Sequence, residues 1–164
     1  VVPSPQPCRI VELPTIERLL AARAIVVCAG GGGIPVVEDG DRLRGVEAVI
    51  DKDLTAALLA EQLGADQLLM LTDVPYVEQH WGTPRARPLT HARASDLRRQ
   101  RFAAGSMGPK IEAACRFVEH TGRRAAIGQL GSLDAVARGD AGTQISGERR
   151  VSPGRRQRRA VSVG

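Results

Sequence analysis

The chain has 164 residues, 43% hydrophobic and 2% aromatic, which suffices for one ordinary domain with an aliphatic core. Its formal net charge of +5 resides in the tail, because residues 147–164 hold six arginines and one glutamate, whereas residues 1–146 hold 17 basic and 17 acidic side chains. The sequence has neither an apolar run near the roughly 20 residues of a membrane span nor a leader with a cleavage site, so we expect a protein that is neither inserted nor exported.

The first part of the chain predicts two helices, a strand and a hairpin. Apolar residues at helical spacing predict a helix over Thr15–Arg23. The β-branched run Ala24–Ala29 predicts a buried parallel strand that ends in the glycine run Gly30–Gly33. Residues 34–50 predict a hairpin with an Asp-Gly turn, and residues 51–65 predict the clearest helix of the chain.

The second part continues the alternation of strands and helices. It predicts a strand (66–74), a loop (76–92), a polar helix (93–101), an amphipathic helix (108–122), a strand (123–128), a helix with Ser132 as N-cap (132–140) and a final strand (141–146). This alternation indicates an α/β domain, which we expect to be a three-layer αβα sandwich with a mainly parallel sheet. Ligands of such sheets bind beyond the carboxyl ends of the strands.

Lysine is almost absent from this sequence. The chain contains 21 arginines but only two lysines, Lys52 and Lys110, and each lies at the start of a predicted helix, where anions are favoured. A compact ammonium group suits a tight phosphate site better than a guanidinium does. Phosphoryl transfer requires mainly positioning and charge neutralisation, so the two lysines together favour a phosphoryl-transfer site. For Lys52 alone, a solvated side chain next to a capping Asp51 is the simpler interpretation.

Two glycine-rich stretches accompany the lysines. Backbone N–H groups of Gly30–Gly33 could hold an anion, although a flexible turn explains the run equally well. The stretch 102–114, FAAGSMGPKIEAA, approaches the phosphate-binding pattern G-x-x-x-x-G-K-[ST]. Pro109 intervenes before Lys110, however, and Ile111 stands where the hydroxyl should be. We therefore interpret it as a glycine turn and a helix start, with Pro109 in the first helical position.

The cysteines and the tail carry weaker signals. The three cysteines, Cys8, Cys28 and Cys115, lie in apolar segments and are expected to be reduced core thiols of a cytosolic protein. No Cys/His pair has the spacing of metal ligands, so we expect no metal held by the chain itself. The arginine-rich tail could bind nucleic acid, but a disordered extension is favoured, because no aromatic or RNA-binding motif accompanies the charge.

Several motifs in residues 1–146 together resemble the carbamate kinases of the amino acid kinase superfamily. In chain order they read VVPSPQP, IVELPTI, AGGGGIPVVE, GVEAVIDKDLTAALLAEQLGAD, LLMLTDVPYV, GTPRARPL, FAAGSMGPKIEAACRFVE and AGTQI, and the combination of AVIDKD with GSMGPK is the most specific. The resemblance implies that residues 1–146 form the C-terminal, nucleotide-binding lobe of the amino acid kinase fold, with the family's N-terminal half missing. Residues 147–164 have no counterpart in the pattern of this family.

The resemblance also implies a reaction. Carbamate kinases reversibly transfer phosphate between ATP and carbamate, giving ADP and carbamoyl phosphate in arginine catabolism, and they are cytoplasmic homodimers that use Mg²⁺. The family's first glycine loop is absent, and the link between DLRR and FAAGSM is shorter than usual, so we expect weak ATP binding without turnover. The alternative is a non-catalytic remnant, or an ATP-binding or interaction module of another amino acid kinase-like protein. Acetylglutamate and uridylate kinases lack the DKD lysine pattern.

Site residues follow from the resemblance, position by position. It assigns catalytic roles to Lys52, Lys110 and Asp53, the last as the acid that organises the two lysines. It assigns nucleotide binding to Thr72, Asp73, Tyr76, Gly105, Ser106 and Met107. It assigns the substrate and its phosphate to Gly30, Gly31, Gly32 and Asp51.

Overall fold

The computed structural model describes residues 1–102 and 107–147. In these ranges the helices are α1 (Leu13–Ala21), α2 (Lys52–Gln62), α3 (Ala94–Arg98), α4 (Met107–Thr121) and α5 (Leu133–Arg138). The strands are β1 (Val36–Asp39), β2 (Arg42–Gly45), β3 (Gln67–Thr72), β4 (Val77–Gln79), β5 (Arg87–Leu89), β6 (His91–Arg93), β7 (Arg124–Gln129) and β8 (Thr143–Ser146). The predicted α/β fold class is confirmed.

The central sheet has four strands in the order β3-β7-β8-β6. The pairs β3–β7 and β6–β8 run parallel, whereas β7 and β8 run antiparallel. Because β8 runs antiparallel to β7, the chain re-enters the sheet from the end at which it left, and the sheet is mixed.

Helices cover both faces of this sheet. Ala125 and Ile127 of β7 belong to the buried cluster that also contains Ala57 of α2 and Ile111 of α4. On the opposite face, a Cβ added at Gly128 would lie 2.6 Å from the side chain of Val136 in α5. Because neighbouring strand residues point to opposite faces, α2 and α4 form one outer layer and α5 forms the other.

Ion pairs fix the position of α4, which begins beside the candidate site. The Glu61 carboxylate of α2 accepts a hydrogen bond from Arg116 Nε at 3.1 Å and lies 3.1 Å from His120 Nδ1. Arg98 of α3 donates hydrogen bonds to the carboxylate of Glu119 in α4. The pKa of the Arg98 guanidinium is raised above its ordinary value, chiefly by this hydrogen bond with Glu119. Helix α4 is thus clamped to α2 and to α3.

The predicted strand at residues 24–29 is wrong. This segment is irregular, and the side chains of Ile25 and Val27 are 97% and 96% exposed. A strand needs a neighbour for its backbone hydrogen bonds, and residues 24–29 pair with no strand in the ranges 1–102 and 107–147. An apolar, β-branched run therefore does not become a strand without a partner.

The predicted loop at residues 76–92 is also wrong. It contains the antiparallel pair β4–β5 and most of β6. Thr143 of β8, which is fully buried, accepts a hydrogen bond from Val77 N at 2.9 Å and donates one to Leu89 O. A threonine distant in sequence thus holds both strands of the hairpin, despite the prolines in the segment.

Three smaller expectations need correction. Pro109 is the third described residue of α4, not the first, although it still lies in the first turn, where a backbone N–H has no acceptor within the helix. Ser132 occupies the N-cap position of α5, but its side chain makes no capping hydrogen bond with the described residues. Of the cysteines only Cys115 is buried, whereas Cys8 and Cys28 are exposed.

Candidate functional site

The start of α2 is set by Asp51. Its Oδ1 accepts hydrogen bonds from the backbone N–H groups of Asp53 at 2.8 Å and Leu54 at 3.2 Å, which satisfies donors that have no acceptor within the helix. This cap fixes the orientation of the first turn. The Lys52 side chain then points outward and is 58% exposed, whereas the Asp53 side chain points inward and is 11% exposed.

Asp53 joins the two lysines. Lys110 Nζ of α4 lies 3.0 Å from Oδ1 and 2.9 Å from Oδ2 of this carboxylate. Lys52 Nζ lies 3.6 Å from the same Oδ2, so both ammonium groups meet at one oxygen. The Lys110 side chain is only 12% exposed. A buried charge is stable only when it is paired, and Asp53 supplies that pairing while the trio keeps one net positive charge.

The glycine run packs against the same helix start. Gly32 has a φ of +139°, and a Cβ added there would lie 1.8 Å from Ile50 O. Its carbonyl oxygen accepts a hydrogen bond from the Thr55 hydroxyl at 2.8 Å, and its N–H closes a turn by donating to Ala29 O at 2.8 Å. Gly30 and Gly31 are exposed at the tip of this turn. The close approach explains why residue 32 must be glycine.

A cavity of about 710 Å³ opens beside the lysine cluster, which consists of Lys52, Asp53 and Lys110. Its walls come from the end of β3 and the following loop, from the β4–β5 hairpin, from residues 100–102 and from the start of α4. Lining residues are Thr72, Asp73, Val74, Pro75, Tyr76, Glu78, Gln79, His80, Trp81, Gln100, Arg101, Phe102 and Met107. Met107 and Lys110 are three residues apart in α4, an axial rise of about 4.5 Å, so the cavity and the lysine cluster adjoin.

The predicted site residues fall into two neighbouring groups. Lys52, Lys110, Asp53, Asp51 and Gly32 meet at the start of α2, with Gly30 and Gly31 in the adjoining turn. Thr72, Asp73, Tyr76 and Met107 line the cavity. Gly105 and Ser106 lie outside the described residues.

Sequence reasoning missed several residues of both groups. Thr55 donates a hydrogen bond to Gly32 O of the glycine turn, 23 residues away, and no local pattern predicts that contact. Trp81 and Phe102 contribute to the cavity wall. Trp81 is the chain's only tryptophan and is 71% exposed, which is unusual for so large an apolar surface and could have drawn attention to it.

Within residues 1–102 and 107–147, no group of three or more His, Cys, Asp or Glu side chains is arranged to hold a metal ion. In the same ranges, no helix combines the length and apolarity needed to cross a membrane. The site brings together two ammonium groups, a glycine turn and an aromatic-lined cavity. Together with the α/β sheet, these features define a domain suited to a phosphate-bearing ligand.

The comparison with known protein families identifies the family to which this chain belongs. The sequence model of the Amino acid kinase family matches residues 2–129, and the chain belongs to that family. The chain is 50% identical over 146 residues to the carbamate kinase of Escherichia coli O6:H1, and 51% identical over 149 residues to that of Rhizobium meliloti. These matches cover 89% of this chain but 48% and 46% of the relatives, so the chain spans about half of their length.

Solved structures agree with the sequence comparison. The carbamate kinase of Giardia lamblia bound to AMP-PNP superposes with a TM-score of 0.87 at 40% identity, over 90% of this chain and 48% of that one. A second structure, of the Giardia carbamate kinase bound to citric acid, gives a TM-score of 0.82 at 39% identity and covers 90% of this chain and 47% of that one. The predicted amino acid kinase fold is confirmed.

Proposed function

We propose that residues 1–146 are the nucleotide-binding lobe of a carbamate kinase-like phosphotransferase. The observation that carries the proposal is the cluster in which Lys52 and Lys110 meet at Asp53, beside a glycine turn and an aromatic-lined cavity. The identity to carbamate kinases supports the substrate class, an ATP γ-phosphate and a carbamate-type carboxylate. The products are ADP and carbamoyl phosphate, and the reaction is reversible.

The chemistry assigned to the cluster is charge neutralisation. A carbamate oxygen attacks the γ-phosphorus, the bond from that phosphorus to the β–γ bridging oxygen breaks, and the electron pair remains on ADP. Negative charge spreads over the equatorial oxygens of the transferring group during this step. The ammonium groups of Lys52 and Lys110 stabilise that charge, and Asp53 holds them in place without taking part in bond making.

The nucleotide occupies the cavity in this proposal. Tyr76, Trp81 and Phe102 offer aromatic surface to the base, and Thr72 and Asp73 offer polar groups at the end of β3. The first turn of α4 then leads from the cavity at Met107 to Lys110. The structure of a relative bound to AMP-PNP supports nucleotide binding by this fold.

Other properties of the proposal come from the family resemblance. Mg²⁺ would enter with the nucleotide and would neutralise charge on its phosphate oxygens. A homodimer and a cytoplasmic location are proposed for the intact protein. The arginine-rich tail, of which residues 148–164 lie outside the described ranges, is proposed to have little role in nucleic-acid binding.

Nucleotide binding is testable because Trp81 is the single tryptophan of the chain. Adding AMP-PNP to the purified chain should change the Trp81 fluorescence, with a midpoint that matches the dissociation constant from calorimetry. Tyr76→Ala should weaken binding about fivefold or more, by loss of aromatic stacking. Leu133→Ala, an exposed position outside the cavity lining, is the matched control and should bind normally. A folded chain that gives neither heat nor a fluorescence change with millimolar AMP-PNP would contradict the proposal.

Turnover is tested separately. We expect the isolated chain to bind nucleotide without catalysing transfer, because a lobe of about half the length of its relatives has to assemble the acceptor site alone. A coupled assay for carbamate-dependent formation of ADP measures this directly. Activity of the isolated chain would show that residues 1–164 suffice for catalysis and that the lobe is not merely a binding module.

A further inference from the structure

Thr55 is one of the few buried polar side chains of the described residues, and it is 3% exposed. It lies in the second turn of α2, behind the lysine cluster. Its hydroxyl is 3.2 Å from Asp51 O, the ordinary contact of a helical threonine with the carbonyl four residues earlier. The same hydroxyl is 2.8 Å from Gly32 O, which lies 23 positions away in sequence.

The shorter contact is the informative one. A hydroxyl has a single hydrogen to donate, and any helical threonine can use it within its own helix. The contact with Gly32 exists only because the glycine turn is pressed against the helix start, where a Cβ at residue 32 would nearly overlap Ile50 O. The Gly32 carbonyl is therefore buried, and the Thr55 hydroxyl supplies a donor for it.

We infer that Thr55 is a positioning residue that fixes the glycine turn relative to Lys52 and Lys110. The inference rests on the proposed function, because it assumes that the turn and the lysines bind the same phosphate groups. Thr55 itself touches neither ammonium group. It acts through Gly32, whose N–H in turn closes the loop onto Ala29.

The physical reason is preorganisation. Backbone N–H groups in a glycine turn bind an anion well only when they are already oriented toward it. Without the Thr55 hydroxyl, a buried carbonyl acceptor would lack its donor, and leaving such a group unsatisfied is costly. The turn would then move to expose that carbonyl to water and would lose its register with the lysines.

The experiment compares hydroxyl and non-hydroxyl variants of the full chain. Thr55→Val keeps the shape but removes the donor, Thr55→Ser keeps the donor, and Thr55→Ala replaces the valine variant if that one does not fold. Thr121→Val is the matched control, since Thr121 also donates to a carbonyl four residues earlier, Phe117 O at 2.6 Å, but lies at the far end of α4. The measurements are amide hydrogen exchange at Gly32 and dissociation constants for AMP-PNP and for adenosine.

We expect Thr55→Val to accelerate exchange at Gly32 about tenfold and to weaken AMP-PNP binding about fivefold or more while leaving adenosine binding unchanged. Thr55→Ser and Thr121→Val should behave like the wild type in both measurements. Unchanged exchange at Gly32, or equal losses for adenosine and AMP-PNP, would overturn the inference, because a purely structural role does not distinguish the two ligands. If the wild type binds neither ligand, the proposed function fails and the phosphate role of Thr55 fails with it, whereas exchange at Gly32 still decides whether Thr55 holds the turn.

Discussion

Residues 1–50 and residues 51–147 differ in how far their aliphatic side chains are buried. Of the fifteen large hydrophobic side chains exposed in the described residues, twelve lie in residues 1–50, whereas Ile16 is the only member of the buried core from that region. Residues 51–147 supply all other buried hydrophobic side chains of the described ranges. An apolar pattern thus leads to burial only where other elements provide a covering layer.

The largest expected difference between the two regions is in stability. Ile127 is 0% exposed in β7, and Ile25 is 97% exposed. Ile127→Ala should lower the free energy of unfolding by about 4 kcal/mol, since it removes buried methyl groups and leaves a cavity. Ile25→Ala should change it by less than about 0.5 kcal/mol. Urea unfolding followed by circular dichroism measures both, and a loss at Ile25 similar to that at Ile127 would show that residues 24–29 are covered in solution.

The second prediction concerns the two lysines. Lys110→Met leaves the Asp53 carboxylate buried with only the more distant Lys52 as partner, and should cost about 3 kcal/mol of stability. Lys52→Met removes a largely exposed ammonium group and should cost less than about 1 kcal/mol. Equal costs in urea unfolding would mean that Lys110 is as solvated as Lys52, in conflict with its 12% side-chain exposure.

The third prediction tests where the two regions touch. Gly32→Ala forces a Cβ against Ile50 O at a positive φ and should cost about 1–3 kcal/mol. Gly31→Ala is the control, because a Cβ there meets no described heavy atom within 4 Å. Unfolding free energies of the two variants give the comparison. If Gly32→Ala proves neutral, the glycine turn does not pack against α2 as described.

The smallest effect concerns the cysteines. Burial raises the pKa of the Cys115 thiol from 9.0 to about 11, whereas Cys8 and Cys28 are exposed. At pH 8 we expect iodoacetamide to label Cys8 and Cys28 quickly and Cys115 only after denaturation. Since the folded pKa is raised, the stability that Cys115 contributes is complete below about pH 9 and declines as the pH rises through 11. Rapid labelling of all three thiols in the folded chain would contradict the packing of α4.

Much of the candidate site was accessible from sequence, because its signals are local. The rarity of lysine singled out Lys52 and Lys110, and the Asp-Lys-Asp stretch predicted a capped helix start, which Asp51 provides. Both lysines contact one carboxylate oxygen of Asp53, and the organising role that the family resemblance implied for this residue stays a prediction. Thr55 and Trp81 were not predicted from the sequence, because their roles depend on residues distant in the chain.

The sequence by itself determined the helices to within a few residues, the β1–β2 hairpin and the helix start capped by Asp51. These features depend on spacing, caps and turn residues within a few positions of each other. Only the tertiary structure decided the antiparallel entry of β8, the β4–β5 hairpin held by Thr143 and the irregular state of residues 24–29. Each of these depends on a hydrogen-bonding partner, present or absent, that lies far away in sequence, and no local pattern specifies that partner.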